Sequence, residues 1–139
     1  FSNLFEGMSN RYDYSTITVL KKQEYTDNLI NLYREFIKQK HKIETVSPKT
    51  AIKKFDKNLK SILELEPENI VLEITYDDSI FFTLIRDNYK IYIEYYLDDD
   101  TTMSIIHKNN KEVNSFSGSF NYSIEKTKSI LDVEDLVIQ

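Results

Sequence analysis

Asp77-Asp78 and Asp98-Asp99-Asp100 are the densest carboxylate runs in this 139-residue chain, and clustered carboxylates are the side chains best suited to hold a hard divalent cation. If both runs are hairpin loops at the same end of a sheet, they approach each other, and a Ca²⁺ or Mg²⁺ site becomes geometrically possible. Their order does not follow the EF-hand alternation of acids around an obligatory Gly, and neither run contains a Gly. Asp also favours turns because its side chain hydrogen-bonds the nearby backbone. The expectation is therefore turn residues and no metal or other cofactor, with a metal-dependent enzyme using the acidic loops as an alternative.

Other residues with chemical potential are sparse. There is no Cys, so thiol nucleophiles, thiolate zinc sites and disulfides are absent. The two histidines lack a motif partner such as HExxH. His41 falls in a Lys-rich helix end, where a solvated side chain near the negative helix terminus explains it, and His107 falls on the expected inner side of a strand as a packing residue. Glu73 and Glu94 sit on one strand face with Phe81 as the expected neighbour of each, which suits a solvated face better than an acid/base pair. No catalytic residue is expected.

Two surfaces remain as binding candidates. Tyr92, Glu94 and Tyr96 alternate along one strand and share a face, and Tyr offers a large rigid contact area at low entropic cost. Lys49, Lys53, Lys57 and Lys60 lie opposite the apolar stripe of a helix and form a basic outer face. From Lys21 to Lys60 there are eleven Lys or Arg against five Asp or Glu, whereas from Ser61 to Gln139 six face sixteen. That asymmetry fits electrostatic docking of an acidic protein, nucleic acid or a membrane surface, with a protein partner or a second copy of the chain expected. Nucleic acid is disfavoured by the net charge of −5, the presence of only three Arg and the lack of an RNA or zinc-finger motif.

The elements that must position these residues follow from periodicity. Residues 1–20 form a lead-in, extended or weakly ordered, in which the alternation of Tyr12, Tyr14, Thr16, Thr18 and Leu20 also permits a strand. Residues 21–139 read as one α+β domain. A period of 3.6 predicts a helix over about 21–42, with Tyr25, Leu29, Leu32, Tyr33 and Phe36 on one stripe. Ser47-Pro48 caps a second over about 48–64, with Ile52, Phe55, Leu59, Ile62 and Leu63 inward. The link from Ile43 to Val46 is short enough for a helical hairpin.

From about 69 to 120, short aromatic and β-branched runs alternate with Asp/Asn turns, predicting a five-stranded antiparallel meander. A three-residue Asp77-Asp78-Ser79 loop pairs Tyr76 with Ile80, Ile74 with Phe82 and Leu72 with Leu84. A two-residue Asp87-Asn88 loop pairs Leu84 with Ile91, Phe82 with Ile93 and Ile80 with Tyr95. Both hairpins yield one apolar inner face, continued on the fourth strand by Met103, Ile105 and His107. In the fifth, Val113 and Phe116 fall on opposite sides, which requires a bulge near Asn114-Ser115 or burial on both faces. Ser123 is the expected cap of a last helix over about 123–132, packed on one face of the sheet.

Composition sets the outer limits. Hydrophobic residues at 40% and charged residues at 29% support a folded domain rather than disorder. With two Gly and two Pro, phosphate-cradling glycine loops and polyproline ligands are excluded by supply. No apolar run reaches the ~18 residues of a membrane span, and the first twenty residues lack a signal-peptide pattern, so a soluble cytoplasmic protein is expected. The chain opens on Phe1 rather than Met, which leaves room for upstream sequence removed by processing. Richness in Ile, Lys, Asn and Tyr fits an AT-rich bacterial genome. The functional expectation is a small non-catalytic interaction or accessory protein, of the immunity, antitoxin or chaperone kind. A domain binding a small apolar ligand between helices and sheet is the alternative.

Overall fold

The computed structural model describes residues 14–138. The lead-in up to residue 13 lies outside them. Helix α1 runs Tyr14–Gln39 and continues as a single 3₁₀ turn, Lys40–Lys42. Residues 14–20 are thus helical, and the strand that their alternation permitted does not form. The chain falls into two units, one ending at Arg34 within α1 and one running from Glu35 onward. The second carries the sheet.

Helix α2 spans Pro48–Leu63. It starts where the sequence places it because the Ser47 side chain accepts the Thr50 N–H at 3.1 Å and Pro48 supplies a preset φ at the first position. Its buried stripe is Ala51, Phe55, Asn58, Leu59, Ile62 and Leu63, so Asn58 takes an inward place and Ile52 a half-buried one.

Strands β1 (Asn69–Ile74), β2 (Ser79–Arg86), β3 (Tyr89–Tyr96), β4 (Thr102–Lys108) and β5 (Lys111–Gly118) form one antiparallel sheet in sequence order, followed by helix α3 (Phe120–Ile138). The fold is α+β. Starved of Gly, the turns use residues that tolerate a left-handed backbone: Asp78, Asp87, Asn109 and Asn110 have φ between 51° and 66°. Asn109-Asn110 has both residues there, as a tight primed hairpin requires.

The β2–β3 register is the expected one, with Ile80 opposite Tyr95, Phe82 opposite Ile93 and Leu84 opposite Ile91. The β1–β2 register differs by two residues: Ile74 faces Ile80 and Leu72 faces Phe82. The connection is Thr75–Asp78, closed by Thr75 N–H donating to Ser79 O at 3.0 Å, and Tyr76 is a turn residue, 74% exposed. A slip of two preserves the face, which is why the inner surface still forms.

On β4 the face is reversed. Thr102, Ser104 and Ile106 are buried, while Met103, Ile105 and His107 lie on the outer side. Six residues separate the partners Tyr95 and Thr102, and an even spacing sets odd positions of β3 against even positions of β4. Small hydroxyl residues line the inside because α3 packs there: Ser104 and Thr127 share a hydrogen bond at 2.7 Å, and Thr127 Oγ1 donates to Ser123 O at 2.8 Å. On β5 the extra residue is Val113, between the pairs Ile106–Asn114 and His107–Glu112, so the required bulge lies beside the expected place.

Helix α3 begins at Phe120, three residues before its expected start. Its cap is Ser119, whose side chain accepts the Tyr122 N–H at 3.2 Å, and Ser123 is buried within the helix instead. Gly118 makes the strand-to-helix corner possible. It has φ 156°, and a Cβ there would stand 3.1 Å from the Tyr122 ring. Gly118→Ala should therefore cost about 1–3 kcal/mol, read as a lower urea midpoint at unchanged slope. A midpoint equal to the wild type would show that the corner relaxes freely.

The core is an aromatic relay through both layers. Phe36 stacks on Phe55 at 4.6 Å, Phe55 on Phe82 at 6.4 Å, Phe82 on Tyr95 at 6.0 Å, and Tyr95 meets Phe120 edge-on at 5.5 Å. All helices that contribute to it lie on the inner face. Among the described residues no helix packs on the outer face of the sheet.

Candidate functional site

The outer face is built in cross-strand rows. Val71, Thr83, Tyr92, Ile105 and Ser115 make one; Glu73, Phe81, Glu94, Met103 and Ser117 make the next. Phe81 is thus the neighbour of both glutamates, as expected. Val71 is 59% and Met103 43% exposed, and Phe81, Tyr92 and Ile105 are half-buried. Tyr92 is the hub. Its ring lies 6.0 Å from Phe81, meets His107 edge-on at 5.3 Å, and has the Lys90 ammonium above it at 5.5 Å. His107, expected inside, is therefore part of this outer cluster.

Toward one end the face turns acidic. Glu94 accepts a hydrogen bond from Ser79 at 2.7 Å, and Ser79 in turn shares one with Thr75 at 2.5 Å. The negative charge of Glu94 raises the Tyr96 phenol above its ordinary value, helped by partial burial and by Asp77, Asp99 and Asp98. The Tyr96 side chain therefore sits in the combined negative field of the two acidic loops.

Those loops do lie at the same end, with Leu97 N–H donating to Asp78 O at 2.8 Å. Three of their carboxylates, those of Asp78, Asp99 and Asp100, are engaged by backbone. Asp78 accepts the N–H groups of Glu44 at 2.7 Å and Thr45 at 3.2 Å. Asp99 accepts Thr101 N–H at 2.7 Å, and Asp100 accepts Phe120 N–H at 3.3 Å. Among the described residues no group of three His, Asp or Glu side chains comes together to hold a metal ion. No family model, curated protein or solved structure matches this chain.

The charged surface thus has to be read from its own geometry. Lys49, Lys53, Lys57 and Lys60 are all exposed on α2. They do not form one uniform patch, because Lys53 and Lys57 line a cleft of about 480 Å³ whose opposite wall is Asp98, Asp99 and Asp100. Lys54 joins the two walls, donating to Tyr96 O at 2.6 Å and Asp99 O at 2.5 Å. His41 is exposed in the 3₁₀ turn, its ring bonded to Lys38 O at 3.2 Å. Among the described residues no helix is long and apolar enough to cross a membrane.

Asn58 follows Phe55 by three residues and precedes Ile62 by four, which places a polar amide on the apolar stripe of α2.

Proposed function

We propose that this chain is a non-catalytic interaction protein that docks a basic, apolar-anchored protein surface on the open face of its sheet, centred on Tyr92. The observation that carries the reading is the contiguous outer cluster of Val71, Phe81, Tyr92, Met103 and Ile105, left half-buried or exposed while α2 and α3 pack on the other side. Exposed apolar area of this kind, rimmed by charge, is characteristic of binding surfaces. The acidic end around Tyr96 favours cationic groups on the partner.

Docking by strand addition at β1 is opposed by Gln39. Its side chain accepts Ile74 N–H at 2.8 Å and donates to Leu72 O at 3.3 Å, occupying the edge as another strand would. Size narrows the mode further. Five strands by about six residues present a face of roughly 20 by 20 Å, on the order of 400 Å², half of what one partner buries in a standard interface. A stable complex therefore engages the acidic loops as well as the face.

The test is affinity capture from native lysate with the wild type, Tyr92→Ala, Met103→Lys and the double variant Lys53→Ala/Lys57→Ala. The expected result is a basic partner recovered by wild type and by the lysine double variant, with at least tenfold less on Tyr92→Ala and Met103→Lys. Equal recovery by Met103→Lys, or a monomeric wild type that captures nothing, would overturn the assignment.

A further inference from the structure

We propose that the outer sheet face also pairs with the same face of a second copy, as an isologous dimer whose two-fold axis runs across the strands at Tyr92. The proposal rests on the reading of this face as a docking surface and adds its regulation: the dimer covers the Tyr92 cluster until another partner displaces it.

Opposite charges stand at the two ends of the face, with an uncharged row between them. On β3 the outward residues run Lys90, Tyr92, Glu94. The row through Lys90 holds Asn69, Ile85, His107 and, at the β5 edge, Glu112; the row through Glu94 holds Glu73, Phe81, Met103 and Ser117. Alternate residues of a strand are about 6.6 Å apart, so Lys90 and Glu94 are equally distant from Tyr92 and about 13 Å from each other. At that separation they do not pair within one copy. The Lys90 ammonium already leans over the Tyr92 ring at 5.5 Å, and the Ser79 hydroxyl holds the Glu94 carboxylate by donating to it at 2.7 Å.

When one face meets itself about a two-fold, the axis lies in the plane between the copies. An axis along the strands sets Lys90 on the second copy's Lys90 and Glu94 on its Glu94, which like-charge repulsion opposes. An axis across the strands at Tyr92 sets each Lys90 on the other copy's Glu94, twice over. The same operation brings Tyr92 onto Tyr92, Ile105 onto Ile105, Ile85 onto Phe81 and His107 onto Met103. Glu73 then falls opposite Asn69 and Glu112 opposite Ser117, so no like charges meet. Stacked sheets aligned within about 30° preserve this correspondence near the axis.

Val71, Met103 and Ile85, 59%, 43% and 38% exposed, are the large apolar side chains that the contact removes from water. A face on the order of 400 Å² buries about 800 Å² over both copies, below the ~1,200 Å² at which stable complexes begin. The dimer is therefore weak and reversible. A partner that also engages the acidic loops buries more and replaces the second copy.

The experiment is sedimentation equilibrium of the purified full chain from about 5 μM to about 1 mM. The samples are the wild type, Lys90→Glu, Glu94→Lys, an equimolar mixture of those two variants, and Met103→Lys. The expected result is a monomer–dimer equilibrium weakened at least tenfold in each variant alone. The mixture should return to within about threefold of the wild type, because every charge then meets its opposite across the interface; the same recovery shows that both variants are folded. A wild type that stays monomeric throughout, a mixture no more associated than its components, or a dimer indifferent to Met103→Lys would each overturn the dimer. If Tyr92→Ala still loses the lysate partner in those cases, the docking face stands without it. A dimer that obeys these charge rules in a lysate that yields no other partner upholds the present proposal and removes the heterologous one.

Discussion

Phe55→Ala should remove about 3–5 kcal/mol of folding free energy. The residue is fully buried at the point where α1, α2 and the sheet meet, stacked on Phe36 at 4.6 Å and on Phe82 at 6.4 Å. Truncation loses the transfer free energy of the ring, leaves a cavity between two layers, and breaks two aromatic pairs worth about 0.5–1.5 kcal/mol each beyond their area. A domain of this size has roughly 5–15 kcal/mol in total, so about a fifth or more of the stability rests on one side chain. Urea unfolding monitored by far-UV circular dichroism reads the loss directly, and Phe55→Leu, which retains most of the volume, should lose under half as much. A deficit below about 1.5 kcal/mol for the alanine variant would mean that the relay closes over the gap and is not the main support of the core.

That core was legible because its determinants are local. The two-residue Asp87-Asn88 turn leaves one possible register, and Ile80, Phe82 and Leu84 face their expected partners. The preceding connection gave no such unique length: Thr75 joins the turn through its bond to Ser79, and Tyr76, apolar enough to be placed in a strand, stands in solvent. Hydropathy was misleading on β4. Met103 and Ile105 outrank Thr102 and Ser104 on any transfer scale, but the inner positions face α3, where small side chains permit close approach: the Ser104 hydroxyl shares a bond with Thr127, and the Thr102 carbonyl accepts one from Ser123 Oγ. Only the three-dimensional proximity of α3 makes a hydroxyl the better inward residue.

The candidate surfaces divided in the same way. Tyr92 and Glu94 belong to the outer face that strand alternation assigns them, and the α2 lysines point outward as helical spacing requires. Alternation cannot tell whether a face is covered, however, nor that His107 would join Tyr92 once the β4 face was reversed. The cleft was beyond reach because its walls are separated by about forty residues and meet through Lys54, whose partners are backbone carbonyls that no side-chain motif encodes. The acidic runs, conversely, suggested metal chemistry from composition. Their partners are the N–H groups of Glu44, Thr45, Thr101 and Phe120, which are invisible in a sequence for the same reason.

Asp78 allows the structural reading of those runs to be tested. Its carboxylate accepts two backbone N–H groups from the link between α1 and α2, and its backbone has φ 55°. Asp78→Ala leaves both donors unpaired and puts a Cβ-bearing residue without a polar side chain in the left-handed region, so a loss of roughly 2–4 kcal/mol is expected. Asp78→Asn keeps the backbone preference and one acceptor, and should lose about half of that. The bond from Glu44 N–H, with those from Thr45, holds the Asp78 carboxyl below its ordinary value of 3.8 against the opposing effect of burial. A depressed carboxylate adds stability above its unfolded value and loses it as pH falls through the lower folded one. The wild-type advantage over Asp78→Asn should therefore be constant from pH 7 down to about pH 5, shrink below 3.8, and vanish once both states are protonated. Urea midpoints of the two proteins across that range give the curve. If the gap persists undiminished at the acid end, the carboxylate's charge is not what joins the β1–β2 turn to the helices; if Ca²⁺ or Mg²⁺ raises the wild-type midpoint but not that of Asp78→Asn, the acidic loops bind metal after all.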